Sequence, residues 1–480
     1  VKALALQDAL RTLSQQGKLF EINEELSPEI EIPWLSIELA KLRDNALLYN
    51  QVSKKDFRIT TNLFYRKLHV MLNAESEEQI INRASKIITL IEPIVGMGRD
   101  KLHLLASLAW IADYYPETRA SLGPSTKILQ GYELDLTTLP AFKHSSLEEY
   151  PVMPNPVIVA TLASRGESDL SIQRVQLVDE KTMIIHVPRN SRLQFLIEEA
   201  SKRGENLQAA VVLGAPPSLY PPAHLSWMSF TEKILLGGVI SETKLAIAKL
   251  EGEMYVPVPA EAIILGEIVP GDERPEGKML YEDGEVIGGS PMPVMHAKKL
   301  IVKNPSTLYY STIHPTRSDT AELYKLLSKL LLLKYKDLLP DVLDVTFLGE
   351  DAFRTVVVKV DATHRERLIN AGINALSLSK LLNPYTDTVI LVGPEVDTTD
   401  ASSLIKALIE NVDPDKDIIK IESPGYEPLS RKEKRGSLVI LATCPNEPRK
   451  PLKIEARLEA TPRSREFLQG LLAKVTKEQL

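Results

Sequence analysis

Apolar residues recur at helical spacing from Leu4 to Leu13, and Gly17 ends the run, so the chain opens with an amphipathic helix. Apolar runs at Asn45–Tyr49 and Leu68–Leu72 predict strands, and the periodicity of Glu77–Ile94 and Lys101–Tyr114 predicts two helices. From about residue 116 the texture changes. Pro124, Pro140, Pro151, Pro154 and Pro156 punctuate short β-rich runs at Val157–Thr161, Val175–Val178 and Met183–Val187. A helix over Arg192–Arg203 separates these from further strands at Ala209–Gly214, Glu261–Val269 and Lys298–Lys303. Short strands at close spacing predict a barrel or rolled sheet with inserted helices. Beyond about residue 315 strands and helices alternate: helices at Thr320–Lys336, His364–Ala375 and Ala401–Glu410, with strands at Val342–Leu348, Ala352–Val360, Thr388–Gly393, Asp417–Glu422 and Ser437–Ala442. That alternation predicts an α/β domain on a partly parallel sheet, followed by a mixed-charge helix over Pro462–Leu480.

The chain has 480 residues, enough for two or three cores, and the changes of texture divide it at 1–115, 116–315 and 316–480. Hydrophobic residues make up 44% and charged ones 25%, the balance of a globular chain. Lys and Arg total 57 against 64 Asp and Glu, and the net charge of −7 argues against a nucleic-acid partner. Cys444 stands alone, which excludes an internal disulfide and makes a cytoplasmic address the expectation. No apolar run reaches the roughly 18–20 residues of a membrane span. There are eight histidines and no HExxH. Nucleotide signatures fail as well. Lys101 stands where a third glycine should follow Gly96 and Gly98, and five residues rather than four separate Gly271 from Gly277-Lys278, with Met279 in place of Ser or Thr.

One segment carries more. In Asp169–Lys181 an acidic residue lies five positions ahead of Arg174, which opens a strand. Alone, this is a strand with a solvated rim. Taken with five other segments it resembles the UbiD family of prenylated-FMN-dependent decarboxylases. Asn45–Tyr49 followed by Thr61–Phe64 is similar to the family's early strand and "NLF"; Asp169–Lys181 resembles its N-x-x-x-x-R and "VxDxK". Val211–Pro217, Val256–Glu267, Val389–Asp397 and Leu438–Thr443 resemble four later motifs, in the family's order and with similar gaps.

The resemblance implies an α/β (α+β) chain with an N-terminal α/β unit, a middle split β-barrel that binds prenylated FMN, and a C-terminal α/β domain that makes a homo-oligomer, dimer or hexamer. It implies reversible, non-oxidative decarboxylation of an α,β-unsaturated or aromatic acid, with a flavin prenyltransferase as cofactor supplier. The family's Arg-Glu-Glu set falls on Arg174, Glu276 and, at the second glutamate, on Tyr281 without a gap or Glu282 with one inserted residue. Its metal set falls on Asp169, Asn190 and Glu232, an all-oxygen trio suited to Mn²⁺ or Mg²⁺, with K⁺ as a further candidate ion. Cofactor contacts are expected from Ser171, Ile172, Gln173, Arg189 and Lys380.

The chemistry makes sense without the family. Decarboxylation leaves an electron pair that no side chain accepts well, so a cofactor is required. Arginine presents a bidentate fork to a carboxylate, and a glutamic acid in a dry pocket can return the proton. A phosphorylated substrate would want further cations, for which Arg165, Arg189, Arg192 and Lys278 are available. His186, on an apolar strand, reads as a core or rim residue, and Trp227 and Met228 as packing. The departures at Asp169, Asn190 and Tyr281 leave a rival from another class open: a non-catalytic relative acting as scaffold or partner subunit. Bound flavin separates the two.

Overall fold

The protein is described from a computed structural model over residues 5–88, 109–119, 126–189, 191–361, 364–421 and 436–443. It is a mixed α/β structure built on several sheets. The opening helix, Leu6–Gln15, buries Leu6, Ala9, Leu10 and Leu13, the i, i+3, i+4, i+7 stripe expected of it. Four strands form the N-terminal sheet in the order Leu19–Leu26, Ala46–Val52, Arg58–Thr61 and Thr307–Tyr309. The last of these arrives from the far end of the middle region and pairs parallel to Arg58–Thr61. Leu68–Met71, predicted as a strand, is a short helix. Its apolar run is buried on successive residues, a pattern that periodicity alone assigns to either element. Of the two helices predicted next, the first is described over Glu77–Ile88, and the second survives as a 3-10 turn at Ala109–Tyr114. Residues 101–108, and the helix expected at 462–480, lie outside the described residues.

In the middle region nine strands form one antiparallel sheet. Its spine is Pro291–Lys303, Ala262–Pro275, Leu207–Leu213, Val157–Leu162 and Glu167–Ile172, each paired with the next. Val157–Leu162 is buried throughout, because helix Arg192–Arg203 lies against it and a second core cluster fills the other face. The C-terminal sheet has five strands, in the order Val342–Phe347, Thr355–Val360, Thr388–Val392, Ser437–Ala442 and Ile418–Ile421. Its three central strands are parallel and its two edges antiparallel.

Asp319 ties the N-terminal region to the start of the C-terminal one. Buried at the start of helix Asp319–Lys334, its carboxylate accepts from the backbone N–H groups of Leu63, Phe64 and Tyr65 at 2.7–2.8 Å and from the Tyr309 hydroxyl at 2.8 Å. Four donors that would otherwise be orphaned in the interior converge on one side chain.

Candidate active site

Alternation along Glu167–Ile172 builds the first wall. Side chains two apart share a face of a strand, so Asp169 and Ser171 turn one way while Leu170 enters the core. Asp169 and Ser171 line a cavity of about 920 Å³, and Ile172, Gln173 and Arg174 continue the same wall. Arg174 lies in the two-residue link between Glu167–Ile172 and Val175–Leu177, just ahead of the strand that the sequence has it open. Its carbonyl accepts from the His186 N–H at 2.9 Å, which fixes the link, and its side chain turns into the cavity.

The segment after Ala262–Pro275 brings the second wall. Arg174 Nη2 donates to the Tyr281 hydroxyl at 2.7 Å, and its guanidinium carbon sits 4.2 Å from the centre of the Tyr281 ring. Burial pushes the Tyr281 phenol up to about 12, so it stays neutral. Glu282, next in sequence, lines the same cavity, and burial raises its pKa while the Arg174 charge works against the rise. The sequence favours Glu282 over Tyr281 in the pocket beside Arg174; the structure instead brings both to the cavity, Tyr281 as a neutral phenol bonded to Arg174 and Glu282 as an acid tuned upward. An annex of about 60 Å³ opens behind Glu282 and Arg174, where both ring nitrogens of His144 are buried without a hydrogen-bond partner.

Glu276 stands one layer back. Its Oε1 lies 2.8 Å from His186 Nδ1, and His186 Nε2 lies 3.0 Å from the Tyr385 hydroxyl; His186 and Tyr385 both reach the cavity. Burial drives the His186 pKa down, so the ring is neutral at ordinary pH: Nδ1–H donates to the Glu276 carboxylate and Nε2 accepts from Tyr385. His186 is buried, in keeping with a core position, and in addition it couples Glu276 to the cavity.

Tyr385 comes from the C-terminal region, as do Phe353, Arg354, Leu376, Lys380 and Leu381, which line the same cavity. Tyr324 and Phe353 stack on this side with centroids 4.4 Å apart and planes 10° from parallel. The cavity is therefore bounded by the middle and C-terminal regions together.

A polar end lies beside Asp169. Helix Phe230–Ser241 begins here with a capping box: Ser229 Oγ accepts from Glu232 N, and Glu232 Oε2 accepts from Ser229 N at 2.6 Å. Lys233 follows, buried, with Nζ 3.0 Å from Asp169 Oδ1 and 2.6 Å from the Leu170 carbonyl. Arg192, at the first position of helix Arg192–Arg203, also reaches the cavity and pairs with Glu167 at 2.7 Å. The Ser171 hydroxyl is buried here without a partner. An unpartnered hydroxyl, cationic side chains and the start of helix Arg192–Arg203 fit a phosphate-bearing group.

The expected metal set does not fit a divalent ion in the same way. Asp169 is taken up by the Lys233 ammonium, and Glu232, engaged as a helix cap, is absent from the cavity wall. Asn190 lies outside the described residues, and among those described no group of three His, Cys, Asp or Glu side chains could hold a metal. Of the expected cofactor contacts, Ser171, Ile172, Gln173, Arg189 and Lys380 all reach the cavity. Arg165 instead pairs with Glu167 and Glu199 at the surface. Lys233, Tyr385 and His144 went unnoticed in the sequence. Lys233 alone left a signal there, a lone cation followed by the apolar run Ile234–Ile240.

The family models of the 3-octaprenyl-4-hydroxybenzoate carboxy-lyase match residues 10–87 with its N-terminal domain, 117–317 with its Rift-related domain and 320–442 with its C-terminal domain; the chain belongs to the UbiD family. It is 23% identical over 431 residues to an uncharacterised protein of Aeropyrum pernix, covering 87% of this chain and 86% of that one. Its fold is similar to the vanillic acid decarboxylase of Sedimentibacter hydroxybenzoicus in closed form, with a TM-score of 0.75, 18% identity and 99% of each chain covered. It is also similar to the UbiD-class enzyme HmfF of Pelotomaculum thermopropionicum in complex with FMN, with a TM-score of 0.74, 18% identity, and 96% of this chain and 98% of that one covered. Among the described residues no helix is long and apolar enough to cross a membrane.

Proposed function

We propose that the chain is a prenylated-FMN-dependent decarboxylase acting reversibly and without net oxidation on an α,β-unsaturated or aromatic carboxylic acid. The observation that carries this reading is the convergence of Arg174, Tyr281 and Glu282 at one cavity, with the Glu276–His186–Tyr385 chain joining it from behind. The flavin would be held by Ser171, Ile172, Gln173, Arg189 and Lys380 with its phosphate at the polar end, its supply depending on a flavin prenyltransferase. When bound, prenylated FMN would supply the electron sink that loss of CO₂ requires.

The remaining work falls to side chains. Arg174 is held charged by its surroundings and offers its fork to the substrate carboxylate, with Tyr281 fixing the plane of the guanidinium. Glu282 delivers the proton that replaces CO₂ at carbon, a step that needs its carboxyl neutral, and burial moves it in that direction. The Glu276 carboxylate keeps His186 in the tautomer that accepts from Tyr385, which anchors the opposite wall. The stacked Tyr324 and Phe353 offer an apolar face to a planar acid and exclude water from the reacting carbon. The assembly we expect is a homo-oligomer.

Protein co-expressed with a flavin prenyltransferase tests the reading directly. Expected are a flavin visible spectrum, the mass of prenylated FMN, and CO₂ release from at least one acid in a panel of cinnamates and hydroxybenzoates. A colourless protein with no flavin mass, inactive on the whole panel, would overturn it.

A further inference from the structure

The polar end of the cavity contains a cation of its own. Lys233 and Asp169 are 1% and 2% exposed, a charged pair placed in the interior. An ammonium has three donors, of which the Asp169 carboxylate and the Leu170 carbonyl take two, and Lys233 lines the cavity. A lysine in the first turn of a helix opposes the helix dipole, a position that costs stability unless an anion answers it. Asp169 answers in part. Arg192 opens the second helix nearby, and the Ser171 hydroxyl, one strand repeat from Asp169, is buried without a partner. Each cation has a carboxylate, Lys233 with Asp169 and Arg192 with Glu167, and what lacks a partner is the Ser171 hydroxyl.

We propose that Lys233 supplies, as a fixed ammonium, the positive charge that a divalent ion would otherwise bring to the flavin phosphate, so that this chain holds its cofactor without a metal. The proposal rests on the flavin reading of the cavity. Three features carry it. Asp169 is already paired with an ammonium, beside which a dication would meet like-charge repulsion in a dry site. Glu232 spends its carboxylate on the Ser229 N–H and stays off the cavity wall. The Ser171 hydroxyl has no partner within the protein, Lys233 has one donor beyond those given to Asp169 and Leu170, and both residues line the cavity.

Binding of FMN and of riboflavin, which lacks the phosphate, is measured by quenching of flavin fluorescence in EDTA and in MnCl₂, alongside metal analysis of the purified protein. The wild type is expected to carry no stoichiometric divalent metal and to bind FMN with the same affinity in both buffers. The double variant Asp169→Asn/Lys233→Met removes both charges at similar volume. It should weaken FMN about 10- to 100-fold and leave riboflavin binding unchanged. Manganese-dependent FMN binding, or a folded double variant that binds FMN as the wild type does, overturns the proposal while leaving the flavin reading intact. Failure of the wild type to bind either flavin in either buffer is the separate outcome that overturns the flavin reading, and this proposal with it. A double variant that does not fold leaves the wild-type measurements to decide.

Discussion

At the scale of single residues, Tyr281 and Glu282 compete for one role, and their environments separate them. The phenol is pushed up to about 12 and is engaged with Arg174, whereas the carboxyl is raised from the ordinary range toward neutrality. Tyr281→Phe should therefore keep substantial decarboxylation and Glu282→Gln should lose most of it, as read by CO₂ release; the reverse pattern would give the proton to the phenol. The pH profile has a fixed sign. A donor must be protonated, so turnover should fall as pH rises through the raised Glu282 pKa, and Glu282→Gln should lack that limb. Stability follows the same sign. A carboxyl whose folded pKa exceeds its unfolded one contributes most below the unfolded pKa and loses that contribution as pH rises through the folded value. The melting temperature of the wild type relative to Glu282→Gln should accordingly be highest in acid and decline toward neutral pH. Arg174→Ala should abolish turnover in a folded protein, because both the fork and the anchor of Tyr281 go with it.

At the scale of elements, two local devices hold the site. Asp319 gathers three backbone N–H groups and a phenol into the start of its helix, so Asp319→Ala strands four buried donors at once. A loss of about 3 kcal/mol or more is expected, measured by denaturant unfolding, with Asp319→Asn intermediate because it keeps one acceptor oxygen. The segment that carries Glu276 to Glu282 is set by close approach rather than by freedom of φ. A Cβ at Gly277 would lie 2.5 Å from the Tyr150 ring, and one at Gly288 would lie 2.8 Å from the backbone of Lys278 and 2.9 Å from the Glu276 carbonyl. An aromatic ring can tilt; a backbone cannot without moving Glu276. Gly288→Ala should thus cost activity well beyond its effect on the melting temperature, and equal losses in both would count against this account.

At the scale of the whole molecule, the cavity exists because two regions face each other. Where they meet, the Tyr385 hydroxyl lies 3.0 Å from His186 Nε2, and the Ser226 hydroxyl donates to the Leu381 carbonyl at 2.6 Å. A ligand that fills the cavity touches both walls, so flavin binding should stabilise both by mass action. Hydrogen exchange should slow together at 186–192 and 376–387 on loading with FMN. Protection confined to one stretch would place the flavin against one wall alone.

Much of the fold was legible from residue order. Helix Arg192–Arg203 lies where Ser191 and Gly204 bracket a periodic run, and the C-terminal alternation yielded its parallel sheet because each buried strand is β-branched and each helix amphipathic. Arg174, Ser171, Gln173 and Lys380 were legible through the motifs that carry them, and the structure brings them to one cavity. Leu68–Met71 was misread because a short buried run has no period to show. Other features belong to tertiary structure alone. Thr307–Tyr309 pairs with Arg58–Thr61, some 250 residues earlier, and His186, Glu276 and Tyr385 are joined from distant points in the chain. The pairing of Lys233 with Asp169 spans 64 positions. Local pattern fixes which face of an element is apolar, but a buried charge is tolerated only where the folded chain delivers its partner, and no local pattern specifies that delivery.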